Sequence, residues 1–479
     1  MIITFSSAII SIGDIMIDYS VPDSNVYESA DLTSYTKKNS KETFSYIFFD
    51  NIDYITQLYI DGRMRDVTYK NVLDTALCGS IYLGFDTYEC PDCGMETTIP
   101  HTCKSRFCSK CAAKTASQRS IAVSAMTFSC KHRHIVFTIA KELRYFFERD
   151  RSLQNLLFIA SRNTISAVAN DSKYRKNKRK NKPVHASKSP YLYKDTTDNV
   201  IFGAISTLHT FGRSLDFNFH IHMLVCEKTL NLKTDDIKDF SYMDFKKLRK
   251  MWMFQILKLM EGKLHSNRKF MKIKNKLYST YKDGFYVYAK EPKKDQNDED
   301  INDVVAYITR YTNRPVMAES RIVEYNDKTK MIHWFYNRHE DDERIDVTER
   351  VESFIQRIIR HCPDENFKMT RYYGFYSNRS VKHYNRMAEL LAHRQKKKAV
   401  YKKERQAIIK REIQKTHYRY FMIQSFQRDP LKCKCGGFMI HAETYNPFEG
   451  GIKNDIPYKQ KCIYKSKYLK SRTVNARRS

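Results

Sequence analysis

Apolar and polar side chains alternate through the stretch Leu215–Glu227, which reads LDFNFHIHMLVCE. This is the period of a β-strand with one buried face, because successive side chains of a strand point to opposite sides. The pattern therefore predicts a strand with one face in a core and one polar face. The apolar set comprises Leu215, Phe217, Phe219, Ile221, Met223 and Val225, and the other face carries Asp216, Asn218, His220 and His222.

The two histidines of this strand are the first candidates for chemistry. His220 and His222 occupy positions i and i+2, so both lie on one face and can hold a divalent metal ion between them. The alternative is a polar sheet face that contains two histidines without binding a metal. The pattern of this stretch alone leaves both interpretations open.

The hydrophobic pattern elsewhere predicts a mixture of strands and helices. Val200–His209 is typical of a strand, and Gly212 permits a turn, so this strand and the histidine strand should be antiparallel neighbours. A short helical arm is predicted over Tyr46–Leu77, with Gly62 as a break. Other predicted strands are Arg133–Ala140 and Phe285–Ala289, and Arg321–Tyr325 and Met331–Tyr336 are predicted to form a hairpin around Asn326 and Asp327. Other predicted helices are Ser152–Ala169, Met243–Glu261 and Glu349–His361.

A second stretch with candidate chemistry is Asp300–Pro315, DINDVVAYITRYTNRP. An Asp or Asn cap at its start and the proline at its end predict a helix. Tyr307 and Tyr311 then lie on one face, and Arg310 and Arg314 form a second i, i+4 pair beside them. An aromatic helix face packed into a core explains the tyrosines equally well. The same spacing recurs by chance at Tyr372 and Tyr376 and at Tyr464 and Tyr468.

The cysteines are clustered, since six of the twelve lie between Cys78 and Cys111. This stretch contains two C-x2-C pairs, Cys90 with Cys93 and Cys108 with Cys111. Such pairs form tetrahedral thiolate sites for zinc, because each turn presents two sulfurs on one side. A group of reduced structural cysteines does not explain two correctly spaced pairs. The spacing therefore indicates structural Zn²⁺.

Four residues of the two pairs are the expected zinc ligands: Cys90, Cys93, Cys108 and Cys111. Three neighbours are open alternatives, either as a substitute ligand or as part of a second site: Cys103, Cys78 and His101. Near the C-terminus, three more cysteines leave a second zinc knuckle open: Cys433, Cys435 and Cys462.

The charge balance favours a polyanionic partner. Lys and Arg number 84 against 54 Asp and Glu, a net charge of +30, which suits nucleic acid or an acidic membrane surface. The basic run 172–189 is expected to be an exposed loop that is either merely solvated or grips DNA. No apolar run of about 18 residues exists to span a membrane, and the start lacks the basic region of a signal peptide. A cytoplasmic location is therefore expected.

These motifs together resemble the rolling-circle insertion-sequence transposases with a zinc-binding N-terminal domain, known as the IS91 group. That group belongs to the His-hydrophobic-His (HUH) single-strand endonucleases. The resemblance covers roughly Leu77–Arg379 and follows the same order through YECPDCG, TCKSRFCSKC, HIVFTIAKEL, HTFGRSLDFNFHIHMLV and YITRYTNRPV. Segments in one order over most of a chain are more specific than any single motif.

The resemblance implies an α+β catalytic domain with a central antiparallel sheet, the histidine strand in its middle and the tyrosine helix beside it. It implies that His220 and His222 bind catalytic Mg²⁺ or Mn²⁺, and that Tyr307 and Tyr311 are the catalytic tyrosines. The arginine pair of the same helix would contact the phosphates of DNA. Related sequences commonly carry another histidine where this chain has Asn218, and a neutral amide is a weaker ligand. The third ligand is therefore open between Asn218, Asp216 and His209.

The domain order that follows has four parts: an N-terminal, partly helical arm over 1–76, a zinc-binding domain over 77–125, an HUH catalytic domain over 126–385, and a basic helix with an irregular tail over 386–479. The implied function is a transposase that nicks and rejoins single DNA strands through a phosphotyrosine intermediate. Its partner would be DNA, especially single-stranded or hairpin element ends. Two alternatives use the same features: a plasmid or phage replication initiator or relaxase, and a non-catalytic zinc-dependent DNA-binding protein.

Overall fold

The computed structural model describes residues 10–12, 15–17, 41–80, 83–105, 107–170, 200–240, 244–289, 315–338, 341–414, 417, 419–420, 423 and 429–445. The predicted tyrosine helix and the basic loop 172–189 lie outside these ranges. The same holds for four predicted site residues: Tyr307, Arg310, Tyr311 and Arg314.

Strands and helices alternate along the described chain. The strands are β1 Ile10–Ile12, β2 Ile15–Ile17, β3 Phe85–Glu89, β4 Glu96–Pro100, β5 His132–Thr138, β6 Val200–Ile201, β7 Gly203–Phe211, β8 Phe217–Cys226, β9 Lys228–Asn231, β10 Asp236–Asp239, β11 Val287–Ala289, β12 Ile322–Asn326, β13 Met331–Asn337, β14 Arg344–Arg350, β15 Thr370–Gly374 and β16 Ile440–Tyr445. The helices are α1 Phe44–Asp50, α2 Ile52–Ile60, α3 Asp66–Ala76, α4 Ser109–Met126, α5 Lys141–Arg149, α6 Gln154–Ala169, α7 Phe245–Leu264, α8 Arg268–Thr280, α9 Val351–Ile359, α10 Val381–Gln395 and α11 Lys402–Gln414.

The chain divides into two compact units. The first unit combines three stretches, Met1–Ala112, Pro315–Glu365 and His417–Ser479, and the second combines Ala113–Arg314 with Asn366–Thr416. This division differs from the four consecutive parts expected above, because the middle stretch of the first unit had been expected in the catalytic domain. None of the helices in the described ranges is long and apolar enough to cross a membrane.

A five-stranded sheet is the framework of the second unit. Its order is β11-β5-β8-β7-β15, and every neighbouring pair is antiparallel. The predicted antiparallel pairing of the histidine strand with the preceding strand is confirmed, and β8 is the central strand. The α+β class is confirmed as well. The predicted strand over Val200–His209 is interrupted at Phe202, which separates β6 from β7.

One face of this sheet packs against four helices. Phe219, Ile221, Met223 and Val225 are fully buried in a core that contains residues of α5, α6, α7 and α8. This is the apolar set that the alternation predicts for β8, although Phe217 at the strand's start is only partly buried. A fully buried large apolar side chain contributes roughly 1.5–3 kcal/mol, so these contacts hold β8 firmly in the centre.

The opposite face is covered by a second apolar layer at one end of β8. Leu224 and Cys226 are buried there with Tyr376, Tyr384 and Met387, the last two from α10. This layer explains why the alternation of β8 is lost toward its C-terminal end, where both faces become buried.

The turn between β7 and β8 includes Leu215, which the alternating pattern had placed at the start of the strand. The amide of Gly212 donates to the carbonyl of Asp216 at 2.9 Å, and the left-handed residue of the turn is Leu215, with a φ of +65°. That backbone costs a non-glycine residue roughly 1–3 kcal/mol. Complete burial of the Leu215 side chain offsets this strain.

The first unit contains the predicted N-terminal arm as the helices α1 to α3. Gly62, which adopts a φ of +68°, ends the arm's second helix as predicted. The predicted hairpin is confirmed as β12 and β13, and β14 adds a third strand that the pattern did not predict. Phe354 of α9 stacks on Phe44 of α1 with the ring centroids 6.2 Å apart, so the middle stretch packs on the arm.

A small three-stranded sheet joins distant parts of the first unit. Its order is β16-β3-β4, so β3 is paired on both edges. The tail that was expected to be irregular therefore contains a strand. The predicted basic helix is also two helices, α10 and α11, because Lys396 adopts a left-handed φ of +51° after the first.

Candidate metal centres

Three histidines converge on the central strands of the five-stranded sheet. His220 and His222 lie on one face of β8, and His209 on β7 is the register partner of His220. One ring nitrogen from each lies within 4.8 Å of the others. His209 and His222 are buried, whereas His220 is partly exposed. Three ring nitrogens at this spacing could hold a divalent cation.

Hydrogen bonds fix the orientation of two of these rings. His220 Nδ1 lies 2.7 Å from the carbonyl oxygen of Asn218. Because a carbonyl only accepts, Nδ1 carries the proton and Nε2 keeps its lone pair for a cation. His222 Nδ1 lies 2.9 Å from Nε2 of His134 on β5, and these two rings are stacked. With Nδ1 engaged, Nε2 is the nitrogen of His222 that can face a cation.

Loss of solvation keeps the imidazoles of His220 and His134 neutral. Burial, with a smaller contribution from the nearby charge of Arg144, lowers the pKa of His220 to about 4. Burial likewise lowers the pKa of His134 to about 4. At neutral pH both rings are therefore uncharged, which is the form that binds metal ions.

Among the candidates for a third ligand, the structure brings His209 beside the histidine pair. Asp216 is not part of the group, and its carboxylate accepts a hydrogen bond from Ser214 Oγ at 2.9 Å. Asn218 Oδ1 is buried and has no hydrogen-bond partner among the described residues. The carbonyl of the same residue orients His220, as described above.

The cysteines form two separate groups. Cys78, Cys103, Cys108 and Cys111 make up the first, in which the Sγ atoms of three pairs lie 3.5–3.7 Å apart. Backbone amides of Cys103 and Ser105 donate to sulfurs of this group. Hydrogen bonds, first of all from Cys103, lower the pKa of the Cys111 thiol well below its ordinary value. Thiolates stabilised in this way are the form that binds zinc.

The second group contains Cys90, Cys93, Cys433 and Cys435, all within 4.8 Å of one another at sulfur. The four-cysteine site expected from the two C-x2-C pairs is therefore wrong, because the pairs fall into different groups. Cys90 and Cys93 lie with two cysteines of the tail, whereas Cys108 and Cys111 lie with Cys78 and Cys103. His101 joins neither group, since its Nε2 lies 3.3 Å from an Asp86 carboxylate oxygen.

A third group lies on the five-stranded sheet but has its polar atoms engaged with each other. His132 Nδ1 is 2.7 Å from the carbonyl of Cys130, and Nε2 is 2.8 Å from the Tyr376 hydroxyl. The sulfurs of Cys130 and Cys226 are 3.3 Å apart. The ring of His132 uses both nitrogens in hydrogen bonds and offers no lone pair to a metal.

The sequence pattern did not predict two features of these centres. His134 stands in RHIVFTIA, where strand alternation places it on one face with His132, but its contact with His222 depends on the pairing of β5 with β8. The partners of Cys90 and Cys93 lie more than 300 residues away in sequence. Their signal is the CKCGG segment, a cysteine pair followed by glycine as in CPDCG.

Two family models match consecutive parts of the chain. A model described as a transposase zinc-binding domain matches residues 48–139, and one described as a putative transposase matches residues 203–384. The first range includes the whole of the first cysteine group, and the second includes all three converging histidines. No solved structure matches this chain.

Two curated relatives are similar over most of their length. The transposase for insertion sequence element IS801 from Pseudomonas savastanoi pv. phaseolicola is 26% identical over 332 residues, which cover 67% of this chain and 72% of that protein. The putative transposase y4qJ from Sinorhizobium fredii is 24% identical over 318 residues, or 63% of this chain and 73% of that protein. The two family models, matched in order, and these relatives together support an IS91-family transposase with a zinc-binding N-terminal domain.

Proposed function

We propose that this transposase cuts and rejoins single DNA strands at a divalent-metal site formed by His209, His220 and His222, with Tyr307 and Tyr311 as nucleophiles. The convergence of the three histidines on the central strands is the observation that carries the proposal. Three imidazole nitrogens favour a first-row transition ion such as Mn²⁺ over Mg²⁺, which prefers oxygen ligands, and either divalent ion could assist phosphate chemistry.

The residues around the site have separate tasks. The three imidazoles would hold the ion, and the Asn218 carbonyl keeps Nε2 of His220 unprotonated by accepting from Nδ1. His134 fixes the ring of His222 from the neighbouring strand, as outer partners of metal ligands do. When bound, the ion would polarise a non-bridging oxygen of the scissile phosphate and offset the charge that develops there.

A tyrosine hydroxyl supplies the attacking oxygen in this proposal. The phenolic oxygen forms a bond to phosphorus, the bond from phosphorus to the 3′ oxygen breaks, and the phenolic proton leaves so that a free 3′-OH results. The strand remains linked as a 5′-phosphotyrosyl ester, so the reverse reaction can join it to a new 3′-OH without ATP. Two tyrosines, at Tyr307 and Tyr311, permit two such links during rolling-circle transposition.

We assign structural Zn²⁺ to Cys78, Cys103, Cys108 and Cys111. A tetrahedral site with Zn–S bonds of about 2.3 Å has S···S edges of about 3.8 Å. The distances of 3.5–3.7 Å in this group are close to that value. All four residues fall within the range matched by the zinc-binding family model.

DNA is the partner of a transposase, and the net charge of +30 suits a polyanion. We propose that single-stranded or hairpin element ends are bound, with Arg310 and Arg314 on the phosphates beside the tyrosines. Binding of this kind is steeply salt-dependent because cations are released from the DNA.

A covalent-adduct assay tests the proposed mechanism. The full chain is incubated with single-stranded element ends and Mg²⁺, and DNA-linked protein is separated under denaturing conditions. We expect an adduct that Tyr307→Phe combined with Tyr311→Phe eliminates, because phenylalanine keeps the ring and removes only the nucleophile. Each single variant should impair transposition, and at least one should still form an adduct on a single end.

Tyr372→Phe is the matched control, because this tyrosine belongs to a pair with the same spacing but lies on β15. It should form the adduct at the normal rate. Mass spectrometry of the DNA-linked peptide then identifies the attached residue. A link to any tyrosine other than Tyr307 or Tyr311 contradicts the assignment, and the absence of any adduct with the unmutated protein contradicts the mechanism.

A further inference from the structure

We infer that Cys90, Cys93, Cys433 and Cys435 form a second structural zinc site, in which the tail of the chain supplies half of the ligands to the zinc-binding domain. The four sulfurs lie within 4.8 Å of one another. Only Cys90 and Cys93 fall within the range matched by the zinc-binding family model, so the two tail residues extend that domain. This inference does not depend on the chemistry of strand transfer.

The distances between sulfurs fit a tetrahedral thiolate site. Cys90 Sγ is 3.5 Å from Cys435 Sγ, and Cys93 Sγ is 3.5 Å from Cys433 Sγ. The S···S edge around zinc is about 3.8 Å, whereas a disulfide bond is about 2.05 Å long. The four sulfurs are thus arranged around a central point and are not bonded in pairs.

The two cysteine pairs sit in similar turns that aim their sulfurs inward. The amide of Gly94 donates to the Cys90 carbonyl at 2.8 Å, and the amide of Gly436 donates to the Cys433 carbonyl at 3.1 Å. Each of these glycines follows the second cysteine of its pair and has a left-handed φ, of +70° and +99°. Glycine is the residue that adopts this backbone without strain. Both turns therefore resemble zinc knuckles.

The turns also pack closely against each other. A Cβ atom built at Gly437 would lie 2.1 Å from an Asp92 carboxylate oxygen and 3.1 Å from Cys90 Sγ. A side chain at that position would require the Asp92 side chain to move. Met439 and Leu431 line the apolar side of the group, where Cys90 and Cys433 are buried.

The strands on either side hold the two turns in register. β3 ends at Glu89, directly before Cys90, and β16 begins at Ile440, which is the register partner of Glu89. The antiparallel pairing of β3 with β16 thus brings the tail turn to the first knuckle. A zinc ion at this point would fasten the tail to the zinc-binding domain, in addition to the strand hydrogen bonds.

The zinc content of the full-length protein tests this inference. Protein purified without chelator should contain about two zinc ions per chain by elemental analysis. Cys433→Ser combined with Cys435→Ser should leave about one. Cys362→Ser is the matched control, because it replaces another buried cysteine of the same unit that belongs to neither group, and it should retain the full content. Full zinc content in the double variant would overturn the inference.

Two further measurements keep the result independent of misfolding. X-ray absorption at the zinc edge of the unmutated protein should show sulfur-only coordination, with about four sulfurs per zinc at about 2.3 Å. Cys435→His should restore zinc relative to the double serine variant, because imidazole replaces a thiolate in many structural sites. A single zinc in the unmutated protein, or a disulfide between Cys90 and Cys435 after alkylation under non-reducing conditions, would refute the second site.

Discussion

The central sheet carries two histidine-containing groups on the same face of β5 and β8, at different positions along the strands. At one position His220 and His222 present ring nitrogens that can accept a cation, and His134 contacts His222 from β5. At the other, His132 and Cys226 are register partners beneath an apolar layer. The two-residue period of a β-strand places the residues of both groups on this face. Their environments differ, and this difference separates a candidate catalytic centre from a structural cluster.

The covering layer decides the role of each histidine. The Tyr376 hydroxyl donates a hydrogen bond to Nε2 of His132 and accepts one from the backbone amide of Phe128 at 3.1 Å. These buried polar atoms therefore have hydrogen-bond partners within the group. His220 lies beyond this layer and is partly exposed. Its only ring nitrogen with a proton is occupied by a backbone carbonyl. A histidine on a strand can therefore serve as a metal ligand when one nitrogen is held by a hydrogen bond and the other keeps its lone pair.

Removing a ligand should have the largest effect. His220→Ala or His222→Ala should lower the rate of nicking by roughly a thousandfold, because loss of the ion withdraws several kcal/mol of charge stabilisation. DNA binding should persist, since the basic segments are unchanged. Nicking and gel-shift assays on the same preparations measure both. Normal nicking by both variants would place the catalytic metal elsewhere.

Removing the orienting histidine should have an intermediate effect. His134→Ala leaves all three proposed ligands in place but removes the partner of His222 Nδ1. Loss of such a partner typically weakens metal affinity by about 10–100-fold. Titration of nicking with Mn²⁺ should therefore show a higher half-saturating concentration with a similar maximal rate. An unchanged titration curve would mean that the contact with His134 does not orient His222.

The covered group is the cluster of Cys130, His132 and Cys226 with Tyr376 beneath the apolar layer. Disturbing it should change the stability of the protein but not the rate of nicking. Tyr376→Phe leaves the Phe128 amide and a nitrogen of His132 buried without their partner. We expect the free energy of unfolding to fall by roughly 1–3 kcal/mol, measured by denaturant titration. Nicking per folded molecule should match that of the unmutated protein. A selective loss of nicking would show that this tyrosine takes part in the reaction.

Replacing a cysteine of the covered group should have the smallest effect. Cys226→Ala removes one sulfur from the trio that also contains Cys130 and His132. Because the hydrogen bonds of His132 leave no lone pair for a metal, the zinc content should stay unchanged. A cost of about 1 kcal/mol in stability is expected from the small cavity. Loss of zinc in this variant, measured by elemental analysis, would reveal a metal site in the covered group.

Local pattern predicted much of the framework because strand and helix periods are properties of neighbouring residues. The alternation in β8, the hairpin of β12 and β13 and the break at Gly62 all follow from contacts a few residues apart. The edge strand β14 was not predicted, because its side chains are mostly charged and alternate only between partial and full exposure. Its place depends on pairing with β13.

The sites were less predictable because their parts meet through long-range pairing. His220 and His222 share a strand and could be identified together, whereas the choice of His209 needed the register of β7 against β8. The spacing of Cys90 and Cys108 suggested one zinc site, but spacing reports only which sulfurs share a turn. Which turns face each other depends on β16, a strand formed by residues far along the chain.

The pairing of β16 with β3 also has a consequence for biosynthesis. Thr444 hydrogen-bonds to Asp86 across a separation of 358 residues. At roughly 5–20 residues per second, a ribosome needs roughly 20–70 s to travel between them. During that interval the nascent chain has β3 with one unpaired edge, which is a template for aggregation. A ribosome that stalls before this point releases a product whose zinc-binding domain lacks the strand that completes its sheet.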